Sequence, residues 1–344
     1  GGQDFQTITP MILTFANNVS SRPLAALLAL FLGVATIILL TIMIQIEKRG
    51  HYMSVSKVKT TIVKQKIRNP ILNVLAHVYA YLLFLIYVIP VALVVLFSFT
   101  DSATIASKHL TLSSFTLENY ISIFQKASSY KPFVVSIAYS AIAASFVAII
   151  VLIACRILQK RKDRLGGALE YGLLIPWLLP TTLMALGLIT TYNTPRVWMF
   201  NKVLTGTSVI MLIGYIIIKI PFTLRMTKAA FFSLDDSLED AARNMGAKPF
   251  YTFMRVQLPI ILPTVLAIFA LNFNGLLGDY DMSVFMYHPL NKPLGVYIKS
   301  LTDAETNADN AALTFVYAVL MMIISGVVMY LVYGRGNKVD KSKD

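Results

Sequence analysis

Residues Leu238 to Pro263 read LEDAARNMGAKPFYTFMRVQLPIILP, a mainly polar segment between two apolar runs each long enough to cross a bilayer. Leu238 to Met245 is made of good helix formers, and the small Ala241 and Ala242 let another surface come close. Gly246 accepts a left-handed backbone and so can end that helix abruptly. Lys248-Pro249 can then open a second helix, because proline is accepted in a first turn. The spacing predicts a short helix, a tight corner and an amphipathic helix leading back into the membrane.

Outward from this segment the chain is apolar. Of its 344 residues 56% are hydrophobic and 14% charged, where a soluble domain carries about a quarter charged. Seven runs reach the length of a bilayer span, at 24–45, 72–99, 134–157, 170–191, 207–224, 258–278 and 312–333. Pro90, Pro176 and Pro180 fall within them, and proline is tolerated in membrane helices when neighbours re-satisfy the freed backbone groups. The expectation is an all-α polytopic membrane protein of about seven transmembrane helices.

Charge sets the orientation. The stretches 46–70, 156–170, 225–257 and the tail from 334 hold 21 of the 30 Lys and Arg, the alternate stretches hold 8, and Lys219 lies within a span. The acids divide 9 against 8, so the asymmetry belongs to Lys and Arg, which are enriched on cytoplasmic sides. This places 225–257 and the chain's end inside and its start outside. The net charge of +13 is thus a topology signal; nucleic acid would need a basic face on a folded soluble domain, which is lacking.

Several chemistries find no residues. Cys155 is the single cysteine and sits inside an apolar run, and the four histidines have no ligand spacing, so no metal site is expected. No catalytic constellation is visible. No G-x-x-x-x-G-K-[ST] sequence occurs, so ATP should not be bound through a P-loop, and no cofactor is expected in this chain.

Residues 46–70 carry seven basic residues against Glu47 and read as a cytoplasmic linker between two membrane units. A shift of 286 residues lays Ile12 on Ile298, Ala25-Ala26-Leu27 on Ala311-Ala312-Leu313 and Ile37-Ile38 on Ile323-Ile324. The domain reading follows: 1–45 as the external segment and last span of a truncated first half, 71–334 as a six-span second half, and 335–344 as a cytoplasmic tail. Gly1 to Ser21 has no basic n-region before an apolar core, unlike a signal peptide. About five further spans are therefore expected upstream.

Asn272, Asn274, Asp279 and Asp281 follow one another at the outer end of the sixth run and are candidates for a substrate path, since polar groups at membrane depth face a cavity or the bundle interior. Asp303, Glu305 and Asp309 read as a solvated external loop. Lys219 is expected to snorkel to the inner face. Thr181-Thr182 are expected to satisfy backbone groups freed at Pro180.

In the opening segment an acid and two alanines, then three residues, a glycine, nine residues and Val-Gln-Leu-Pro follow one another at set distances. This resembles the EAA loop of permease subunits of ABC-type importers. Asp240 stands where Glu is usual and Val256 where Ile is usual, both conservative departures. The resemblance implies a type I importer permease domain over 71–334, in a bacterial inner membrane, with ABC ATPase subunits, an extracytoplasmic substrate-binding protein and a first permease half, fused or separate, as partners within the lipid bilayer. It implies an ATPase-coupling role for Glu239, Asp240, Ala241, Ala242, Gly246, Val256, Leu258 and Pro259. LPTTLMALGLI and GDYDMSVFMYHPLNKPLGVYI look like the iron(III)-type permeases, with polyamine, phosphonate, thiamine and sulfate permeases as close relatives. An ion-coupled secondary transporter is the competing class; it would want carboxylates or broken helices near mid-membrane, and the acids here lie in loops or near span ends.

Overall fold

The computed structural model describes residues 7–50, 67–107, 109–161, 163–195, 197–235, 237–302 and 310–334. The structure is all-α, and among the described residues strand character is confined to two isolated bridges, Thr100 with Phe115 and His288 with Asn291. The α-helices in chain order are α1 (Ile8–Asn17), α2 (Arg22–Gly50), α3 (Pro70–Ser98), α4 (Ser102–Ser107), α5 (Glu118–Gln125), α6 (Ala127–Lys160), α7 (Arg164–Leu174) and α8 (Thr181–Tyr192). There follow α9 (Ser208–Phe232), α10 (Ser237–Asn244), α11 (Pro249–Thr252), α12 (Leu258–Leu277), α13 (Ser283–Met286), α14 (Leu294–Thr302) and α15 (Ala311–Tyr333).

Among the described residues five helices are long and apolar enough to cross a membrane: α3, α6, α9, α11 continued into α12, and α15. A sixth span results if α7 and α8 are taken together, although they are bent by 107°. The first expected run lies in α2, where Pro23–Leu39 forms a shorter apolar helix. The fourth, 170–191, is not the single helix expected. A 3-10 turn at Ile175–Leu178 follows α7, and Leu179 is extended at φ −104°, ψ 136° before α8 begins. Prolines inside α3, α6, α9 and α12 leave those helices continuous. At 176–180 Pro180 lacks the N–H that would reach the carbonyl of Pro176, and it pushes Leu179 out of the helical region; the equally spaced Pro259 and Pro263 of α12 cause no such break. Thr182 does not repair this break; its Oγ1 is buried with no partner among the described residues.

The chain forms two compact units. The first holds the described residues within 1–37, 126–300 and 321–344, the second those within 38–125 and 301–320. In the first, α6, α9 and α12 pack around Val147, Val151 and Cys155 of α6, Leu224 and Phe231 of α9, and Ile261 and Val265 of α12. Tyr139, Ala143, Ile210, Met211, Tyr215 and Leu276 form a second core. In the second unit Phe97 meets Phe315 at 5.4 Å and the Asn119 amide donates to the carbonyl of Thr100 at 3.0 Å. Helix α1 starts at Ile8 and α14 at Leu294, 286 residues on, whereas α2 and α15 start at Arg22 and Ala311. Residues 51–66 of the basic linker, the loop acids Asp303, Glu305 and Asp309, and the tail 335–344 lie outside the described residues.

Candidate functional site

The segment between α9 and α12 folds as local chemistry dictates. Helix α10 ends in a Schellman arrangement: Gly246 N–H donates to Arg243 O at 2.9 Å and Ala247 N–H to Ala242 O at 3.0 Å. Gly246 has φ +81°, the left-handed conformation expected of it. Lys248 is extended, and Pro249 occupies the first turn of α11. Residues Phe253–Gln257 then form a π-turn closed by the Leu258 N–H on the carbonyl of Phe253. The sequence reading missed this widening. Its reason is Pro259, whose ring would press on a carbonyl four residues earlier in a regular helix.

Two adjacent acids face opposite ways. The Asp240 side chain is 69% exposed, with Arg243 3.9 Å away. Glu239 is turned in and only 14% exposed. Arg156 of α6 donates from Nη1 to Glu239 Oε2 at 3.1 Å and from Nη2 to Oε1 at 3.3 Å. Lys160, one turn further along α6, also pairs with Oε1, and the Gln257 amide donates to Oε2 at 3.2 Å. The hydrogen bond from Arg156 is the main reason that the Glu239 carboxyl is held down to about 2, with Lys160 adding to it against burial. A depressed carboxyl contributes stability that is complete above its ordinary value of 4.5 and lost only as pH falls through about 2. Pepsin should therefore cleave within 238–247 slowly at pH 4 and fast near pH 2, and Glu239→Gln should abolish that difference; equal cleavage of the parent protein at both pH values would contradict the assignment.

The other named residues of the segment divide in the same way. Ala242 is buried, whereas Ala241 is exposed. Ala242, Gly246 and Val256 line a cleft of about 460 Å³ with Met245, Ala247, Lys248 and Tyr251. Met245 is 82% exposed in this lining, and Phe250 beside it in the loop is 76% exposed. Leu258 packs on the α6–α9–α12 core, and Pro259 is exposed at the start of α12. Sequence reasoning did not find Arg156, Lys160 or Gln257. The available signal was two cations four residues apart at the end of a span, hence on one helix face.

At the other end of α12 the four candidate path residues separate. Asn272 is buried and donates to Thr223 Oγ1 of α9 at 2.7 Å. Asn274, Asp279 and Asp281 line a cavity of about 510 Å³ with Gly275, Gly278, Tyr280 and three residues of α15, Met321, Met322 and Ser325. The Asn274 Oδ1 is buried with no partner among the described residues. Lys219, expected to snorkel to the inner face, instead has its amine turned against α12. It lies mid-way along α9, which runs on to Phe232, and its Nζ rests where a Cβ on Gly275 would be 2.8 Å away. That position is beside the C-terminal turn of α12, where the helix dipole favours a cation. Among the described residues no group of His, Cys, Asp and Glu could hold a metal ion.

Comparison with known proteins brings both ends of α12 into one frame. A family profile described as "Binding-protein-dependent transport system inner membrane component" matches residues 147–337. The chain is 36% identical over 333 residues, 96% of its length, to a Sinorhizobium fredii protein named Probable ABC transporter permease protein y4fN, and it spans 58% of that relative's length. It is 24% identical over 212 residues to a Salmonella paratyphi A permease protein named for 2-aminoethylphosphonate transport, PhnV, covering 62% of this chain and 78% of that one. A crystal structure of a bacterial ABC transporter that imports alginate aligns with a TM-score of 0.62 at 15% identity, over 78% of this chain and 96% of that chain. At that identity the likeness speaks for the fold.

Proposed function

This chain belongs to the family of binding-protein-dependent transport system inner membrane components, and from that premise we propose that it is the permease subunit of an ATP-driven importer, with Leu238–Pro263 docking a separate ATPase. The observation that carries the docking assignment is the segment's division of labour. Its inner side is tied to α6 through Glu239, while Asp240, Met245 and Phe250 are exposed, Met245 in the lining of a cleft. ATP hydrolysis is assigned to that second subunit. An extracytoplasmic binding protein delivers cargo, a second permease half completes the pathway, and the cavity of Asn274, Asp279 and Asp281 lies on it.

The positive-inside pattern supports a cytoplasmic docking segment in the inner membrane, with the start of the chain outside and its end inside. For cargo, the sequence resemblance favours iron(III), and the relative named for 2-aminoethylphosphonate sets a phosphonate beside it; uptake of each by the intact transporter separates them. A secondary transporter finds less support. Among the described residues one pair of helices forms a broken span, α7–α8, and it has no acid at its break, where Ile175 to Pro180 is wholly apolar.

The docking assignment is tested by Met245→Cys in a Cys155→Ala background. In the assembled complex this cysteine should cross-link to the ATPase subunit. A complex that assembles and cross-links from Leu165→Cys, at an exposed position on the same side, but never from Met245→Cys, would place the docking surface elsewhere.

A further inference from the structure

Arg156 lies where four elements meet. Its guanidinium forks onto both oxygens of Glu239 in α10, at 3.1 and 3.3 Å, and donates to Gln257 Oε1 of the π-turn at 3.0 Å. It also donates to Gln159 Oε1 of its own helix at 2.8 Å. The same group stands 5.8 Å from the centre of the Phe253 ring, which stacks at 6.2 Å on Phe231 of α9. Its side chain is only 16% exposed, so the pair is little screened by solvent.

The other routes from α10 into the membrane domain are softer. The covalent link to α11 turns through the Gly246 corner, and that to α9 passes the exposed Ser233 and Asp235. The opposite side of the loop borders the cleft of about 460 Å³ rather than packed side chains. Helix α6, by contrast, contributes Val147, Val151 and Cys155 to the core shared with α9 and α12. A displacement of its cytoplasmic end is therefore felt by both neighbours, because close-packed interiors transmit strain.

We propose that Arg156 is a positioning residue that makes α10 and the cytoplasmic end of α6 move as one body, so that a stroke received at the docking helix is delivered to α6. This rests on the docking reading above. The planar fork fixes direction as well as distance, which a lysine at the same place does not. Lys160 holds the Glu239 carboxylate from one turn further along α6 and resists its rotation. Glu239 thus serves the inside of the joint, and Asp240 is left for the surface that docks.

The test uses the full chain purified with its ATPase subunit, spin-labelled at Ile153→Cys on α6 and Asn244→Cys on α10 in a Cys155→Ala background, with and without MgATP and vanadate. The parent should give one narrow distance that trapping does not shift. In Arg156→Met the ATPase should still co-purify, but the distance should broaden and shift on trapping by about 1–2 Å or more, the scale of helix displacements at switching interfaces. Arg156→Lys should recover part of the narrow distribution. An Arg156→Met distance as narrow and fixed as the parent's, or a parent distance that itself shifts, overturns the proposal. If Arg156→Met fails to insert, Arg156→Lys and Glu239→Gln decide on the same two readouts, and failure of all three to insert also overturns it by showing a role in folding alone. A parent chain that binds no ATPase overturns the docking reading instead; the nucleotide-free widths of parent and variant still decide whether Arg156 unites the two helices.

Discussion

Gly246→Val is expected to leave the chain inserted and to cut ATP-driven uptake about tenfold or more. The position has open space where a Cβ would go, so the effect comes from the backbone alone. At φ +81° a β-branched residue is strained, a penalty of about 1–3 kcal/mol for such conformations, and about 1.4 kcal/mol is a tenfold change. Relief of that strain would open the bonds from Gly246 to Arg243 and from Ala247 to Ala242 that turn α10 back toward α11. Gly246→Asn should keep most of the activity, since asparagine visits the left-handed region more readily. Uptake of the cargo proposed above, labelled iron(III) or 2-aminoethylphosphonate, measures the effect. Parent-level uptake by the valine variant would remove the corner from the coupling route.

The second large effect is expected at Gly295→Ala, the smallest side chain that can be added. A Cβ there would lie 2.4 Å from the carbonyl oxygen of Asp279 and 2.7 Å from that of Gly278. Both obstacles are backbone, so no side chain can swing away. Nor can α14 easily retreat, because the N–H of Leu294 donates to Ser136 Oγ of α6 at 2.8 Å. Overpacking of this kind costs about 1–3 kcal/mol, and it falls on the turn that walls the cavity at the end of α12. The variant should lose several degrees of melting temperature in detergent and most of its uptake. Gly326→Ala, with nothing within 4 Å of the added carbon, should do neither. Equal melting temperatures for the two variants would show that the Gly278–Asp279 turn yields.

The loop between α9 and α12 was legible because its determinants are local. Gly246 and Pro249 each restrict their own backbone, and the corner follows. The partners of Glu239 were not legible, since Arg156 and Lys160 lie 83 and 79 residues away and read only as charges on the inner side. Asn272 and Asn274 were grouped by their nearness in sequence, although two residues on a helix differ by about 200° in direction. One accordingly reaches Thr223 and the other the cavity. The break at 176–180 was misjudged for a related reason. Prolines are absorbed by long spans here, the equally spaced Pro259 and Pro263 of α12 included, so the prolines at 176 and 180 did not by themselves announce a break at Leu179.

The π-turn at Phe253–Gln257 has a bearing on descent. A turn with one residue more than an α-helix needs is a place where a codon can be lost without turning either flank. Removing Met254, which is exposed, would leave Phe253 and Gln257 facing as they do now and would set the Pro259 ring against a carbonyl, a strain that α12 already carries at Pro263. The same deletion inside α12 would rotate Asn272 by about 100° off Thr223. Relatives one residue shorter between the glycine corner and the Leu-Pro pair are therefore expected to keep both faces of this helix, and an alignment that places their gap anywhere else in it would misassign its lining.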